Sequence, residues 1–375
     1  MDYDYSSRIR RVCFEMKLRG IDVLVLTPCS DMKYLIGYEH PQDDKLLFLV
    51  VLGDGGSFVI HNRLHDIDPE RTPVELVISY AYKEDPVQML CAELKRRGIR
   101  VRTAAMNRTM PVFPALRLKE NWPEAALTDA EELTAPLRAI KDEDEMEAAR
   151  EACRRAEEAL RICMEKGAYW VGKTEQQLEA GLLYEMGNLG LRRNAASVCF
   201  GENAAFPHHH PDSTMITYGK PLLIDFGAEY GFLNTDMTRM FFFGEPDAEY
   251  QKLYQVVKEA ERRGIEAAVC GNTLQELDRA VREYLEQEGY GRYYIHRTSH
   301  GVGLDCHDYP KIPVDGETTI QDGMMFSVEP GVYFPGKYGI RIEDQILMKD
   351  GRAEALHSFT KDLTVIRPGR GLCKY

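Results

Sequence analysis

Residues 222–243 read LLIDFGAEYGFLNTDMTRMFFF, two apolar runs joined by a turn that contains glycine. Runs rich in aromatic and branched side chains predict two antiparallel strands. Each run carries one aspartate, and a turn centred between Tyr230 and Gly231 would place Asp225 opposite Asp236, about 5 Å apart at Cβ. Facing carboxylates repel each other and destabilise the hairpin, whereas a divalent cation between them attracts both and makes the arrangement favourable. A cation site is therefore one interpretation of the stretch, but taken alone the stretch favours an exposed aspartate or another strand register.

The composition of the whole chain is typical of a soluble globular protein. Its 375 residues are 44% hydrophobic and 29% charged, and the net charge of −13 argues against a nucleic-acid partner, which needs a basic face. The nine cysteines are never spaced Cys-x-x-Cys, so they predict neither a disulfide framework nor a zinc ribbon. Neither a signal peptide nor a run of about 20 apolar residues is evident. We expect a cytoplasmic protein without a membrane partner.

Residues 1–137 alternate between helical and strand patterns, which predicts an α/β domain with a partly parallel sheet. The predicted elements are an amphipathic helix at 6–19, apolar runs at 21–26, 46–52 and 57–60, a helix at 85–98 and a strand at 99–104. His61 and His65 are four residues apart. Histidines between a strand and a turn are more often exposed, so this pair alone does not indicate a metal site.

A change in composition near residues 131–141 predicts a domain boundary, and residues 138–375 form the second predicted domain. A long charged helix is expected to start this domain. Capping-box patterns, and a proline suited to an early helical position, predict three more helices: 175–187 after Thr174, one from Pro246 to about Cys270, and 274–288 after Thr273. The order helix, helix, strands then occurs twice, which suggests a duplicated structure.

Further polar residues stand at the ends or inner faces of predicted strands in this domain. His300 and His307 lie in TSHGVGLDCHDYP, and Glu329 ends an apolar run before Pro330. A carboxylate buried there would need a partner. In YGIRIEDQILM, alternation places the side chains of Arg341, Glu343 and Gln345 on one strand face.

Four carboxylates and one imidazole thus gather in the second domain, on Asp225, Asp236, His300, Glu329 and Glu343. Four negative charges match two divalent cations. Oxygen-rich donors with a single nitrogen favour Mn, Co or Fe, with hydrolytic Zn as an alternative. The chain lacks a His-Glu-x-x-His motif, which excludes a mononuclear zinc peptidase of that type.

Taken together, these segments resemble the prolidase and aminopeptidase P branch of the pita-bread metallopeptidases, relatives of methionine aminopeptidase and creatinase. The matching pieces are GENAAFPHHHP, LLIDFGA with TDMTR, HGVGLDCHD, SVEPGVY and GIRIEDQIL, while DMKYLIGY and PLRAIKDEDE match the family's first domain and linker. The resemblance covers nearly the entire chain. It implies an α/β (α+β) protein in which a creatinase-like domain precedes a pita-bread domain with a pseudo-two-fold sheet and covering helices.

The resemblance also implies a role for each metal-ligand candidate. Asp225 would bind one ion, Asp236 and Glu343 would bridge both ions, and His300 and Glu329 would bind the other. Two divalent ions per chain are expected. Mn or Co is the preferred identity, and Zn and Fe are the alternatives. Relatives that work without metal lack this ligand set.

Catalytic and substrate-binding roles follow from the same resemblance. Glu329 would accept a proton, while His208 and His307 would stabilise the oxyanion or serve the leaving nitrogen. His208 follows proline in the family's Pro-His element, and His209 and His210 beside it leave open which ring faces the cleft. Arg341 would bind the carboxylate of the substrate, or else form a structural ion pair with Glu343.

The expected activity is hydrolysis of the imide bond before a C-terminal proline, by a hydroxide held between two metal ions. The alternatives are an aminopeptidase for longer peptides, an enzyme that cleaves another small substrate, and a metal-free binding module. Ser299, Asp308 and the looser GFLNTD segment depart from the family pattern, and these departures bear on substrate preference. The expected partners are an Xaa-Pro peptide and a second copy of the chain, whose site the first domain would overhang.

Overall fold

The computed structural model of this chain describes residues 3–311, 317–369 and 372–374. It divides into two compact units, Met1–Arg138 and Ala139–Tyr375. Among the described residues, every helix is too short or too polar to span a bilayer. The eight cysteines with described side chains are unpaired, and the side chain of Cys373 lies outside the described part.

The first unit is a mixed sheet with helices, in the strand order β4-β3-β2-β1-β5-β6. Strand β1 pairs antiparallel with β2 and parallel with β5. The elements are α1 Tyr5–Arg19, β1 Val23–Leu26, α2 Ser30–Ile36, β2 Phe48–Leu52, β3 Ser57–Asn62, β4 Leu76–Tyr80, α3 Pro86–Arg96, β5 Thr103–Met106, α4 Val112–Asn121, β6 Ala126–Asp129 and α5 Glu131–Ala139, whose last residue belongs to the second unit.

Two predictions for the first unit are wrong. The strand expected at 99–104 is β5, and it begins only at Thr103. The histidines expected to be exposed are buried, since His61 lies in β3 and His65 in the following turn, and each is 6% exposed. The backbone N–H of His65 donates to the carbonyl of Asn62 in that turn.

The second unit contains a five-stranded sheet in the order β16-β15-β9-β8-β7, a three-stranded sheet β10-β13-β14 and the pair β11-β12. Two helices precede each group of strands, as the sequence order predicts. The elements are α6 Glu143–Glu165, α7 Glu175–Asn188, β7 Arg192–Phe200, β8 Lys220–Tyr230, β9 Leu233–Phe243, α8 Ala248–Ala267, α9 Leu274–Gln287, β10 Met325–Val328, β11 Gly331–Phe334, β12 Tyr338–Arg341, β13 Asp344–Lys349, β14 Arg352–Ala355, β15 Thr364–Ile366 and β16 Leu372–Lys374.

Helix starts follow the capping chemistry of the sequence. The capping boxes at Thr174 and Thr273 are both formed. The expected long charged helix is instead two helices, because Asp142 caps α6 with a third capping box and separates it from α5. Helix α8 is capped by Asp247, so Pro246 precedes the helix rather than standing inside it.

The hairpin of β8 and β9 forms, but the predicted register is wrong. The two-residue loop is Gly231-Phe232, with φ values of 56° and 72°. Asp225 therefore pairs with Thr238, and Asp236 pairs with Gly227. The aspartates share one face of the sheet as diagonal neighbours, a separation of about 7–8 Å rather than 5 Å. Sequence rules favour glycine as the second residue of such a loop, and here a phenylalanine occupies that left-handed position.

Gly227 permits the close approach of β9 to β8 beside Asp236. A Cβ at this position would lie 2.6 Å from the backbone oxygen of Thr235. We expect Gly227→Ala to lower the free energy of unfolding by about 1–3 kcal/mol in urea titrations, because backbone must move. The control is Gly187→Ala in α7, where a Cβ meets nothing within 4 Å and stability should stay level or rise by about 0.5–1 kcal/mol. Equal effects would contradict this account.

Candidate metal centre

Strands from different sheets bring the predicted ligands together. Glu343 lies in the break between β12 and β13, where an isolated bridge joins it to Thr238 of β9. The hydroxyl of Thr238 donates to Glu343 Oε2 at 2.7 Å. The continuous strand predicted for YGIRIEDQILM is therefore wrong. Gln345 also contacts β9, since its Oε1 accepts from the backbone N–H of Asp236 at 3.1 Å.

Asp236, His300 and Glu343 form the centre of the cluster. One potential ligand atom from each lies within 4.8 Å of the others. The Nε2 atom of His300 is 3.6 Å from Asp236 Oδ2 and 3.4 Å from Glu329 Oε1. Its Nδ1 atom is 3.0 Å from the carbonyl oxygen of Gly301, which can only accept, so Nδ1 carries the proton. This tautomer directs the lone pair of Nε2 towards the carboxylates, as in metal-binding histidines.

Glu329 follows β10, and Ser327 fixes it relative to His300. The hydroxyl of Ser327 lies 3.4 Å from Glu329 Oε1 and accepts the backbone N–H of His300 at 3.2 Å. Backbone hydrogen bonds from Ser327 to His300 and from Glu329 to Thr298 hold the two segments side by side. The hydrogen bonds between these two segments therefore fix the positions of the His300 imidazole and the Glu329 carboxylate relative to each other.

Arg341 holds Asp225, the remaining carboxylate. The side chain of Arg341 is 3% exposed, and its Nη2 donates to Asp225 Oδ2 at 2.6 Å. Its Nε donates to the hydroxyl of Thr238 at 3.1 Å, and its Nη1 donates to that of Tyr333 at 2.8 Å. The ion pair considered with Glu343 is thus made with Asp225, and Thr238 links the guanidinium to Glu343.

Burial and mutual repulsion raise the pKa values of the clustered acids. The pKa of Asp236 lies well above its usual range because of burial and then the charge of Asp225. Burial and then Asp236 raise the pKa of Glu343 in the same way. Burial, with Glu343 next, raises the pKa of Glu329 to about 8. Glu329 therefore keeps a proton at neutral pH unless a cation replaces it, and the raised pKa values of Asp236 and Glu343 favour their protonated forms in the same way.

The donor set fits divalent ions by its own chemistry. The buried Asp236 and Glu343 and the half-buried Glu329 repel one another beside an imidazole whose lone pair faces them, and a cation relieves both the repulsion and the desolvation. Hard divalent ions favour carboxylate oxygens, and a borderline ion accepts the single nitrogen as well. The residues that would hold the ions are Asp225, Asp236, His300, Glu329 and Glu343.

The three consecutive histidines have different surroundings. His209 Nε2 lies 2.8 Å from Glu175 Oε2, and His210 is close enough to Glu179 to lower the pKa of that carboxyl in opposition to burial. His208 acts electrostatically on His307, whose pKa is lowered by burial, then by His300 and His208. Of the three, His208 is the one whose preceding residue contacts the cluster, since Arg341 Nη1 donates to the carbonyl of Pro207 at 3.4 Å.

Glu175, at the start of α7, anchors the loop that carries these histidines. Its carboxylate accepts from the backbone N–H groups of Phe200 and Asp212 and from the side chain of Asn203. Glu175 is fully buried, so this network fixes residues 206–212 from inside the unit.

Sequence reasoning missed three residues around the centre. His307, which was predicted, stacks near His300 with ring centroids 4.1 Å apart. The missed residues are His296, Cys306 and Tyr333. Their contacts are the Tyr333 hydroxyl to His296 Nε2 at 2.8 Å and Cys306 Sγ to Asp236 Oδ2 at 3.1 Å. The spacing His-x₃-His of residues 296–300 and the cysteine beside His307 were the available signals.

The raised pKa values predict an inverted pH dependence for metal-free protein. Between the ordinary pKa of a glutamate and about 8, folded Glu329 keeps a proton that the unfolded chain releases. The free energy of unfolding should therefore fall as pH rises through this window, by an amount on the order of a few kcal/mol. Urea titrations with a chelator at pH of about 5.5 and 8 measure it.

Two comparisons complete this test. Mn²⁺ should restore stability at the higher pH, and the chelated Glu329→Gln variant should lose less stability than wild type between the two pH values. Identical pH slopes in wild type and variant would contradict the assignment.

Two family models match the chain. The model for metallopeptidase family M24 matches residues 147–350, and the model for the creatinase/prolidase N-terminal domain matches residues 8–140. The M24 match contains all five ligand candidates and covers more than half of the chain.

Relatives of known sequence or structure agree with these models. The chain is 29% identical to the Xaa-Pro dipeptidase of Lactobacillus delbrueckii subsp. lactis over 92% of this chain and 95% of the relative. The prolidase of Thermococcus sibiricus has 29% identity and a TM-score of 0.91, covering 97% of this chain and 100% of that one. An X-Pro aminopeptidase of Thermotoga maritima has 25% identity and a TM-score of 0.84, covering 96% and 99%. The family models and these relatives, together with the ligand cluster of the second unit, show that the chain is an enzyme of metallopeptidase family M24.

Proposed function

We propose that this enzyme is a cytoplasmic Xaa-Pro dipeptidase that uses two divalent metal ions, Mn or Co first. The observation that carries the proposal is the convergence of five ligand candidates, Asp225, Asp236, His300, Glu329 and Glu343, with the ring of His307 beside that of His300. Relatives called Xaa-Pro dipeptidase and prolidase support the substrate class. The unpaired cysteines support a reducing compartment.

Each ligand has a proposed role in holding the ions. Asp225 would hold one ion, Asp236 and Glu343 would serve both, and His300 with Glu329 would hold the other. Divalent ions held there supply Lewis acidity and make water a stronger nucleophile near neutral pH.

The residues of the chain supply binding and proton transfer. Glu329 accepts a proton, because its carboxylate lies at the edge of the cluster beside His300. His208 and His307 donate to the developing oxyanion or to the leaving proline nitrogen. A bond before proline suits this arrangement, since proline offers no N–H to a peptidase that binds its substrate as a strand.

The contacts of Arg341 favour a positioning role over a carboxylate clamp. It is buried, and its donors are directed to Asp225, Thr238 and Tyr333. We propose that Arg341 orients Asp225 for metal binding, and that the clamp on a substrate carboxylate is the alternative.

The function is tested by metal analysis paired with proline release. Purified protein should hold up to two ions, and with Mn²⁺ or Co²⁺ it should release proline from Xaa-Pro faster than it cleaves Xaa-Pro-Xaa. Glu343→Ala should lose both ions, since a bridging ligand serves each, while Asp225→Ala should keep one. Faster tripeptide cleavage would favour the aminopeptidase alternative, for which the Thermotoga maritima relative is the precedent. Sedimentation of the same sample tests the proposed homodimer, which a fully active monomer would contradict.

Replacement of Arg341 distinguishes its two proposed roles. We expect Arg341→Lys to lower metal content and to reduce kcat for dipeptide and tripeptide alike, because a lysine cannot reproduce the fork of donors to Asp225 and its neighbours. The exposed Lys337, in the turn between β11 and β12, provides a control as Lys337→Ala, which should change neither. Full metal content with a raised KM for dipeptides alone would establish the clamp instead.

A further inference from the structure

A second cluster of metal-binding side chains lies in the first unit. One potential ligand atom each from His40, Asp43 and His65 lies within 4.8 Å of the others. His40 and Asp43 belong to the segment between α2 and β2, and His65 belongs to the turn after β3. These residues are far in sequence from the M24 match and share no ligand with the centre described above.

The ring of His65 is buried without a hydrogen-bond partner. Its side chain is 2% exposed, and neither ring nitrogen has a partner among the residues that the structure describes. Buried polar atoms are nearly always satisfied, and leaving one unpaired costs about 1–3 kcal/mol. The nearest carboxylate oxygen, Asp43 Oδ2, lies 3.7 Å from Nε2, which is too far for a hydrogen bond.

That separation suits a metal ion between the two atoms. Zinc bonds of about 2.1 Å to nitrogen and to oxygen span 3.7 Å with an angle of about 120°, close to tetrahedral geometry. The negative charge of the carboxylate favours a cation there.

His40 has the tautomer that a third ligand requires. Its Nδ1 lies 2.7 Å from the carbonyl oxygen of Pro41, which can only accept, so Nδ1 donates and Nε2 keeps its lone pair. The rings of His40 and His65 have centroids 4.5 Å apart. The ligand atoms lie within 4.8 Å of one another, and a rotation of the half-buried His40 would adjust them to the separations of tetrahedral coordination.

The surrounding segment is already held in place. Gln42, between the two ligands, donates to the hydroxyl of Thr27 at 2.7 Å and to the carbonyl of Pro28 at 3.1 Å. Asp43 Oδ1 accepts from the backbone N–H of Lys45 at 2.8 Å, whereas the Lys45 ammonium is 3.9 Å from Oδ2. Asp43 is exposed and lines a cavity of about 470 Å³, so an ion has access from solvent.

A third group of metal-binding residue types differs from this one, because its polar atoms already have hydrogen-bond partners. Glu175, His209 and Asp212 also bring ligand atoms together, but the carboxylate of Glu175 already accepts four hydrogen bonds. Nothing there is left for an ion. In the first unit, by contrast, His61 beside His65 adds another buried nitrogen without a partner among the described residues.

We propose that His40, Asp43 and His65 bind one divalent transition-metal ion, with zinc as the best match, apart from the catalytic centre. Two imidazoles and one carboxylate are a common zinc set, and water can complete the coordination. The ion ties the segment between α2 and β2 to the turn after β3, so its effect is on the stability of the first unit.

The test uses full-length protein in which the catalytic centre is disabled by Asp236→Asn and Glu343→Gln. After chelation and removal of the chelator, Zn²⁺ is added, and bound zinc and Tm are measured. We expect one zinc ion per chain and a raised Tm. Adding His65→Ala should abolish both effects, whereas the exposed neighbouring acid provides a control, Asp66→Asn, that should change neither.

A gentler variant covers the case in which the loss of a buried ring impairs folding. His40→Gln removes a half-buried ligand, so the metal-free Tm should stay level while the zinc affinity falls on the order of tenfold or more. In the wild-type catalytic background, the same variant should bind one ion fewer than the parent. Absence of zinc in the parent, or unchanged zinc content in both histidine variants, would overturn the proposal.

Discussion

The repulsion among buried carboxylates is the constraint on which the second unit depends. Asp236, Glu329 and Glu343 are brought out of water by strands that belong to separate sheets, and their pKa values rise because burial and neighbouring charge disfavour ionisation. Such a cluster is stable only when the carboxylates are protonated or when bound cations neutralise their charge. Under the proposed function, the fold would gain stability from the same ions that supply the chemistry. Arg341 pairs directly with Asp225.

Much of the fold and the ligand set could be predicted from local signals. Capping boxes at Thr174 and Thr273 act within four residues, so the sequence alone locates those helix starts. The ligand candidates were recognisable because several ordered motifs agree with one chemistry. The family models confirm the resemblance on which the assignment relied.

The errors arose where tertiary contacts override local preference. Phe232 adopts a left-handed conformation that its side chain disfavours. The hairpin loop therefore lies at Gly231-Phe232 rather than between Tyr230 and Gly231, and Asp225 pairs with Thr238 instead of Asp236. Bridging of Glu343 to Thr238 interrupts a strand that simple alternation would continue. His61 and His65 are buried because other strands and a loop cover them, and nothing within their own segment signals that.

The anchoring of the histidine loop by Glu175 has an evolutionary consequence. Because one buried carboxylate at the start of α7 holds residues 206–212, the position of His208 depends on a helix terminus that is far from it in sequence. Insertions before α7 would displace that ring without altering any residue near the substrate. Lineages that change the turn before this helix should therefore show matched changes in the histidine loop. Under the proposed function, substrate preference could then change through positions that never touch a peptide.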